Sequence, residues 1–500
     1  MEKKKIVIVG GGVAGLSAGI FARLNGFESQ IVEMHSIAGG LCTAWFRKGY
    51  KFDYSVQWIV GTRCGTFYNT YRQTNILNDE VEILNADFHT RIVNGSEDDF
   101  LMYTDIEKWK AYLLEKAPED AKKIKKMCRD IKRCCYLEPF DLAPSLRKPW
   151  HYIRALVRSY PALYTIFKNR NNTCEDYFSQ LDFKNKWLQT SLHNLHRKAN
   201  FSSVAFLLVL AWYIRKNAGY PVGGSLAIVQ RMQQRYESLG GTMLFKKKVK
   251  EILLENHTAK GVLLEDGTQI NADYVISAAD GYNTIFKMLK GDYVSKKIHH
   301  VYQHWETFVS FVQVSFGIHA PLKTDYPVQL VLAEGRQIGR TRLSLGYRIL
   351  NYSFDPTMAA EGKTCIVIRF ESPWELWQDL SKEEYQQEKK AIEKEAVRIL
   401  EENYPDSAAH IDVCDIATPQ TTVNYTGAWK GSYEGFLPSS KNITQQLSQT
   451  LSGIDNFYMA GHWLFPGGGI PPSVQSGKWA IQMICRKEKQ KFVTEQNSDQ

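Results

Sequence analysis

The chain has 500 residues, which is too long for one simple core and predicts two or three domains. Hydrophobic residues make up 44% and charged residues 23%, as in an ordinary soluble globular protein. Lys and Arg number 62 against 53 Asp and Glu. This mild excess suits an anionic ligand or a membrane surface and does not indicate a dedicated nucleic-acid binder, so no nucleic-acid partner is expected.

No part of the sequence is expected to span a membrane or to carry a secretory signal. The longest apolar run, AFLLVLAWYI at 205–214, has ten residues, whereas a membrane-spanning helix needs about 20. The nine cysteines are scattered and form no CxxC pair, so they predict reduced thiols and no metal site. The expected location is therefore the cytoplasm.

The first motif lies at the N-terminus. A buried-strand pattern at 6–9 is followed by Gly10, Gly12 and Gly15 in G-x-G-x-x-G spacing, with Val13 and Ala14 opening a helix. The first glycine permits a tight turn, the second lets the backbone approach a pyrophosphate, and the third lets the helix pack closely on the strand. The helix N-terminus offers free N–H groups to phosphates. This pattern predicts a dinucleotide site.

The residues that follow the next strand indicate which dinucleotide binds. A β-rich run at 29–32 ends at Glu33, which is placed to accept hydrogen bonds from a ribose. After Met34, a paired glycine at Gly39 and Gly40 precedes Leu41. A paired glycine at this distance resembles the second signature of FAD proteins of the glutathione-reductase type, and a pure NAD site does not need it. FAD is therefore the predicted cofactor.

The segment after residue 75 is predicted to be mainly helical, with helices over 106–117, 119–135 and around 150–167. Residues 143–172 contain no acid. Their six cations alternate with aromatic residues; the cations are Arg147, Lys148, Arg154, Arg158, Lys168 and Arg170. Cations and rings together are typical of a helix at a membrane interface. A solvated basic face over an ordinary core remains the alternative.

The middle block, 223–280, returns to an alternating α/β pattern. A helix over 225–239 leads through a Gly-Gly turn into short strands with a turn at Asp266 and Gly267. A buried strand over 274–278 is followed by Ala279. This block is similar to the returning half of an FAD domain, in which a valine near Val249 contacts the adenine through its backbone. An ordinary α/β unit remains the alternative for Val249.

The second half predicts a further domain. Strand patterns occur at 305–318 and 363–370, and a capping box of Ser381 and Glu384 opens a helix that runs to about residue 403. The tail then reads NFYMAGHWLFPGGGIPPSVQSGKWA over 456–480. A segment with so many glycines leaves room for a flat ring system. The helix predicted after it tolerates proline in its first turn.

Five segments now carry a family resemblance: VIVGGGVAGLSAG, VEMHSIAGGLCTAW, GYKFDYSVQWIVG, YPVGGSLAIVQRM and the tail segment, in this order. Together they resemble the FAD-dependent phytoene desaturase, carotenoid isomerase and retinol saturase family. The resemblance implies FAD redox chemistry at carbon–carbon bonds of a long apolar polyene or isoprenoid, by hydride transfer that desaturates, saturates or isomerises it. Relatives commonly act as peripheral membrane proteins, which implies contact with the inner face of the membrane.

The tail matches the family's flavin-binding signature. The resemblance implies that Gly461 lies against the FAD and that Gly469, Ile470 and Pro471 pass the isoalloxazine. The chain departs from the family pattern at His462, Trp463, the triple glycine 467–469 and Pro472, so substrate specificity is expected to be decided there. The candidates for a catalytic proton donor or acceptor are His462, Trp58 and Gln57, and a role in lining the site is the alternative for each.

The predicted fold class is α/β: a discontinuous Rossmann-type FAD-binding domain, an inserted mixed-sheet substrate domain, and a helical lid or membrane-contact region. The predicted ranges are 1–75, 215–295 and 450–500 for the FAD-binding domain, 76–214 for the helical region and 296–449 for the α+β substrate domain. A lipophilic substrate and a diffusible electron donor or acceptor (NAD(P)H, a quinone or oxygen) are the expected partners. An amine-oxidase-like enzyme and a non-catalytic FAD-binding protein are the alternatives.

Overall fold

The structure is a computed structural model, and it describes residues 3–95, 98–195 and 200–495. In chain order the strands are β1 (Lys5–Val9), β2 (Glu28–Val32), β3 (Ala44–Arg47), β4 (Tyr50–Asp53), β5 (Ile59–Val60), β6 (Ile83–Leu84), β7 (Phe88–Val93), β8 (Phe100–Tyr103), β9 (Ala218–Pro221), β10 (Thr242–Leu244), β11 (Val249–Glu255), β12 (Thr258–Leu264), β13 (Gln269–Asn271), β14 (Tyr274–Ser277), β15 (Phe311–Ile318), β16 (Val328–Leu332), β17 (Gln337–Ile338), β18 (Thr341–Arg342), β19 (Gly346–Asn351), β20 (Thr364–Glu371), β21 (Ile411–Ala417) and β22 (Phe457–Met459). The helices are α1 (Val13–Leu24), α2 (Gly65–Gln73), α3 (Ile106–Lys116), α4 (Ala121–Cys134), α5 (Pro149–Asn169), α6 (Cys174–Leu181), α7 (Lys186–Leu195), α8 (Ser203–Ile214), α9 (Gly224–Ser238), α10 (Lys296–His304), α11 (Lys382–Asn403), α12 (Pro419–Thr426) and α13 (Ile470–Lys487).

A five-stranded parallel sheet brings distant parts of the chain together. Its order is β10-β2-β1-β14-β22, and every neighbouring pair is parallel. Ile6, Val7 and Ile8 of β1 are completely buried, because a parallel sheet is covered on both faces and its strands read as continuous apolar runs. On one face lie α1, α9 and α13. On the other lies the antiparallel sheet β11-β12-β13.

A second sheet has seven strands in the order β21-β15-β20-β19-β16-β7-β8. All its pairs are antiparallel except β16 with β7. One face packs on α11 through Ile392, Ala396 and Ile399. The helix begins where the sequence predicts, because Ser381 and Glu384 form the expected reciprocal capping box. The opposite face of this sheet helps to enclose the cavity described below.

The helices α3, α4, α6, α7 and α8 share one apolar core. Helix α5 lies against α4 and α8 and bends at Ser159, whose backbone leaves the helical region just before Pro161. A proline inside a helix removes one backbone hydrogen bond and crowds the preceding turn, which accounts for the bend. In the described ranges, no helix combines the length and apolar character needed to cross a membrane.

Candidate active site

A cavity of about 1540 Å³ runs from the carboxyl ends of β1, β2 and β14 to the seven-stranded sheet. Pockets for a single small ligand usually measure about 300–1,000 Å³. This cavity therefore has room for a cofactor and a second molecule. In the same described residues, no three His, Cys, Asp or Glu side chains are grouped as metal ligands.

The glycines after β1 form one end of the cavity. Gly10 has a φ of 96° and its N–H donates to the carbonyl of Val32 at 2.8 Å. A Cβ on Gly15 would stand 2.0 Å from the Gly10 carbonyl oxygen, so only glycine allows α1 to approach this closely. Gly12 faces open space, since a Cβ there would meet only the Gly39 carbonyl, at 3.7 Å. The backbone at Gly12 is thus open to a ligand.

Glu33 closes the same end. It is buried, and its two carboxylate oxygens accept the N–H of Gly11 at 2.6 Å and of His35 at 2.8 Å. Each carboxylate oxygen has a second lone pair, so the group can still accept hydrogen bonds from a ribose. The sequence predicted the ribose role of Glu33. It did not predict that Glu33 also holds the glycine turn.

Most of the predicted cofactor residues come together in this cavity. Those that line it are Gly10, Gly12, Val13, Ala14, Glu33, Met34, Gly39, Gly40, Leu41, Val249, Ala279, Gly461, Gly469, Ile470 and Pro471. Gly15 does not line it and lies between α1 and the turn, which agrees with the packing reason for a glycine there. Contacts of these residues with a cofactor stay predictions.

The glycine-rich tail forms the middle of the cavity. Gly461 has a φ of 117°, and its N–H donates to the Ser476 hydroxyl at 2.8 Å. A Cβ on Gly468 would stand 2.3 Å from the Glu434 carbonyl oxygen, so the segment lies directly on that backbone. Helix α13 begins at Ile470, and its first residues line the cavity. Its positive end therefore faces the cavity.

His462, a predicted catalytic candidate, lines this part of the cavity. Its Nε2 is buried and has no hydrogen-bond partner among the described residues. Burial lowers the pKa of His462 to about 4, so the imidazole is neutral at neutral pH. A neutral, unpaired ring nitrogen can accept a proton or a hydrogen bond from a bound molecule.

Gln57 and Trp58, the other two candidates, also line the cavity. The loop that carries them is fixed by Asp53, whose Oδ1 accepts the N–H groups of Ser55 and Val56 at 2.9 and 3.0 Å. Asp53 is fully buried, and burial raises its pKa. Its carboxylate also binds the N–H and hydroxyl of Ser225, both at 2.7 Å. This network gives Gln57 and Trp58 fixed positions.

Several lining residues were not predicted from the sequence. Asp280, three residues after the end of β14, accepts the N–H groups of Asn283 and Trp429, and burial raises its pKa to about 6. An acid shortly after a buried parallel strand was the available signal. His89 contacts Trp58, with ring centroids 6.0 Å apart, and burial lowers its pKa to about 3. Nothing local in the sequence indicates that His89 lies beside Trp58.

The far end of the cavity has an apolar side. Helix α8 contributes Ala205, Leu208, Val209 and Trp212, and β16 contributes Leu330. The sequence showed α8 as an apolar run too short to span a membrane, and its side chains are now seen to line a cavity. The cavity therefore joins a polar, glycine-lined end to an apolar end.

The polar end fits an FAD. It combines a glycine turn whose backbone is open at Gly12, a buried acid at Glu33, and the N-terminus of α13 at Ile470. The glycines beside Ile470 leave space that side chains would otherwise occupy. These groups suit a pyrophosphate, a ribose and a flat ring.

Comparison with known families gives an independent result. The family model described as Flavin containing amine oxidoreductase matches residues 13–484, nearly the whole chain. The chain belongs to this family. The prediction of FAD as cofactor and the prediction of an oxidoreductase are therefore confirmed.

Curated relatives include prolycopene isomerase 1, chloroplastic, of an Oncidium hybrid cultivar, which is 24% identical over 97% of this chain and 84% of that protein. The phytoene desaturase (neurosporene-forming) of Cereibacter sphaeroides is 22% identical over 95% of this chain and 94% of that protein. Both names fall in the group that the sequence motifs resemble, so that prediction is confirmed.

Solved structures share the fold. A putrescine oxidase triple mutant has a TM-score of 0.61, with 12% identity over 97% of this chain and 99% of that one. Cyclohexylamine oxidase from Brevibacterium oxydans has a TM-score of 0.60, with 12% identity over 98% of this chain and 100% of that one. At this identity the likeness shows the fold alone. The prediction of an FAD-binding α/β fold with mixed sheets and helices is confirmed in these terms.

Proposed function

We propose that this flavoenzyme acts on carbon–carbon bonds of a long lipophilic polyene or isoprenoid, by desaturation, saturation or redox-dependent isomerisation. The observation that carries the proposal is the apolar end of the cavity, lined by Leu208, Val209 and Trp212 of α8 and continuous with the glycine-lined end. Bound FAD supplies hydride acceptance or donation. The names of the prolycopene isomerase and phytoene desaturase relatives support this substrate class.

We assign the cofactor positions as follows. The backbone of Gly10, Gly12 and Val13 would hold the pyrophosphate, Glu33 would hold the ribose, and Val249 would lie at the adenine. Gly461 and the segment 469–471 would lie along the isoalloxazine. The α13 N-terminus would place a partial positive charge beside the ring, and Ile470 would supply its N–H, since 471 and 472 are prolines and have none. The support is that these residues line one cavity.

For proton movement, His462 is our first candidate, since its neutral Nε2 is buried beside the cavity and has no hydrogen-bond partner in the part of the chain that the structure describes. Gln57 and Trp58 are held against the same space by the Asp53 network. We assign them to orienting the substrate, because an amide and an indole do not exchange protons readily near neutral pH. Hydride donors or acceptors are diffusible in this proposal: NAD(P)H, a quinone or oxygen.

We propose the domain division that the sequence suggests. Residues 1–75, 215–295 and 450–500 form a Rossmann-type FAD-binding domain, since they contribute all five strands of the parallel sheet. Residues 296–449 form the substrate domain, whose sheet also takes in β7 and β8. The rest of 76–214 forms the helical region that covers the apolar end of the cavity through α8.

We further propose peripheral contact with the cytoplasmic face of a membrane through α5. This helix exposes a run of large apolar and aromatic side chains: Trp150, Tyr152, Ile153, Leu156, Val157, Tyr160, Tyr164 and Phe167. Single exposed apolar residues are ordinary, but a contiguous patch marks an interaction surface. The cations of the same helix suit anionic headgroups. Helix α5 packs on α8, which lines the cavity, so the patch lies near the apolar end.

The function is tested with purified holoenzyme, phytoene and prolycopene in liposomes, under anaerobic conditions with oxidised or reduced flavin. Mass analysis of the products separates the three reactions: loss of two hydrogens, gain of two, or an unchanged mass with a shifted absorption spectrum. Putrescine and cyclohexylamine are the matched amine substrates, assayed by oxygen-dependent peroxide release. Turnover of amines with both polyenes untouched would overturn the proposal in favour of an amine oxidase. Bound flavin that reacts with neither class would indicate a non-catalytic protein.

The membrane contact is tested by sedimentation with phosphatidylglycerol/phosphatidylcholine vesicles. Replacing the exposed Val157 and Tyr160 by Asp is expected to abolish vesicle binding. Replacing Arg154, Arg158 and Lys168 by Gln is expected to make the remaining binding insensitive to salt. Lys389→Gln on α11 is the control cation outside the patch. Undiminished sedimentation of the Asp variant would contradict the assignment of α5.

A further inference from the structure

Two arginines face each other on the wall of the cavity. Arg348 of β19 and Arg369 of β20 are directly opposite in the antiparallel register, and both line the cavity. Side chains in such positions have Cβ atoms about 4.5–5.5 Å apart, and like charges there destabilise a sheet. Sheet stability therefore does not explain why two arginines occupy these opposite positions.

Arg369 is 8% exposed. Its Nε donates to Gln313 Oε1 at 2.9 Å, and its Nη2 donates to the carbonyls of Asp53 and Tyr54 at 3.2 and 2.5 Å. These bonds fix the plane of the guanidinium. Its Nη1 makes no hydrogen bond to a described residue, although the side chain lines the cavity. This nitrogen is not among the buried unsatisfied atoms of the described residues, so it is open to the cavity and can donate to a bound acceptor.

Carboxylates of the described residues do not fill this role. Arg91 and Arg336, near the same sheet, are paired with Asp99 and Glu395. In the described part of the chain, neither Arg348 nor Arg369 has a carboxylate within ion-pair distance.

The surroundings favour a ligand that is part charged and part apolar. Leu330 is the cross-strand neighbour of Arg348 on β16 and lines the cavity beside it. Arg348 is exposed and reaches solvent, whereas Arg369 is buried, and a buried cation is unfavourable unless an anion or hydrogen-bond acceptor joins it. A carboxylate matches the guanidinium geometry, because it can accept two parallel N–H bonds. Glu334 and Glu371 also line the cavity.

We propose that Arg348 and Arg369 bind the carboxylate of the substrate, so that the enzyme takes a lipophilic isoprenoid or polyene acid. The inference rests on the proposed function and narrows its substrate class. Arg369 is the fixed half of the site. Arg348, whose side chain is more exposed, completes it when the ligand is bound. The apolar side chains of α8 contact the hydrocarbon part.

The test is equilibrium dialysis of the holoenzyme with geranylgeranoic acid and geranylgeraniol, which share one hydrocarbon chain. The acid is expected to bind about ten- to a hundredfold more tightly, as charge-assisted hydrogen bonds allow. Arg348→Gln is expected to remove most of this preference and to leave alcohol binding unchanged. The matched control is Arg63→Gln, an exposed arginine outside the cavity lining. Arg369→Lys, which keeps the buried charge, is expected to weaken acid binding with FAD content retained.

The outcomes are distinguishable. Equal binding of acid and alcohol overturns the carboxylate site and leaves the proposed function standing. Failure of both isoprenoids to bind counts against the proposed function itself. Tighter binding of geranylgeranyl diphosphate than of the acid would overturn the carboxylate assignment. Loss of acid preference in Arg63→Gln as well as Arg348→Gln would show that the effect is not local to the pair.

Discussion

The carbonyl oxygen of Ala14 lies directly against Gly477, where a Cβ would stand only 2.4 Å from it. The amide nitrogen of Ala18 would be 2.8 Å from the same Cβ. Helix α1, which follows the glycine turn, thus packs backbone to backbone on α13, which follows the glycine-rich tail. This contact fixes the two cofactor segments relative to each other, although Ala14 and Gly477 are 463 positions apart in the chain.

Gly477→Ala is therefore expected to destabilise the protein even though alanine favours helix over glycine by about 1 kcal/mol. The added methyl meets main chain, which cannot rotate away, and overpacking of this kind costs about 1–3 kcal/mol or more. Thermal unfolding and the FAD content after gel filtration are measured. Arg486→Ala, at an exposed position of the same helix, is the control. A variant as stable as the parent with full FAD content would contradict the close packing.

The carboxylate of Glu33 carries the second prediction. Glu33→Gln leaves one acceptor oxygen where two N–H donors, from Gly11 and His35, now bind. An amide NH₂ opposite an N–H leaves a buried donor unpaired, so FAD affinity is expected to fall about ten- to a hundredfold. The measurement is FAD titration of the apoprotein. Glu28→Gln, exposed on the same strand, is expected to bind FAD normally, and a similar loss in that variant would point to a general charge effect.

Local signals explain which features were predictable. The glycine turn and the Ser381–Glu384 capping box are each encoded within a few residues, and the structure has both at these positions. Glu33 lines the cavity beside the turn, and its ribose role stays a prediction. The Arg348–Arg369 pair depends on the register between two strands. Such registers are set by long-range packing, which one sequence does not reveal. The burial of His462 likewise depends on the backbone of residues distant in the chain, such as Gly435, which packs on its ring.

Acid sensitivity is the third prediction. The pKa of His462 is lowered to about 4 by burial, whereas the unfolded chain protonates near 6.5. Because the folded pKa is the lower one, the stabilising effect of the neutral ring is complete above pH 6.5 and is lost as the pH falls toward 4. At pH 5 the loss is about 2 kcal/mol. His89, with a pKa lowered to about 3, acts in the same direction.

Replacing His462 by Phe is expected to flatten the fall in melting temperature between pH 7 and pH 5. Little stability should be lost at pH 7, since Nε2 has no hydrogen bond to lose within the described residues. His410→Gln, an exposed histidine, should leave the profile of the parent unchanged. Parallel profiles for the parent and His462→Phe would show that folding does not shift the pKa of this imidazole, which would contradict the prediction. Turnover measured on the same variant tests its proposed role as proton acceptor.

The last prediction concerns a buried lysine on α13. Lys478 is 1% exposed, and its Nζ donates to Asp141 at 2.6 Å and to Gln73 at 3.0 Å. Burial lowers its pKa, and the Asp141 charge opposes that shift. Asp141→Ala leaves this cation buried with one neutral partner, so we expect a loss of about 3 kcal/mol, toward the low end for a broken buried pair because the Asp141 side chain is half exposed.

Lys478→Met removes the buried charge, so that Asp141 no longer has a cation to neutralise. This variant should therefore lose less stability than Asp141→Ala. The double variant should recover part of the loss, because no unpaired charge remains in the interior. Denaturant unfolding of the parent, both single variants and the double variant gives the coupling energy. Additive effects would mean that the pair does not interact. Coupling would show that the loop at residue 141 stabilises the helix whose N-terminus lines the cavity.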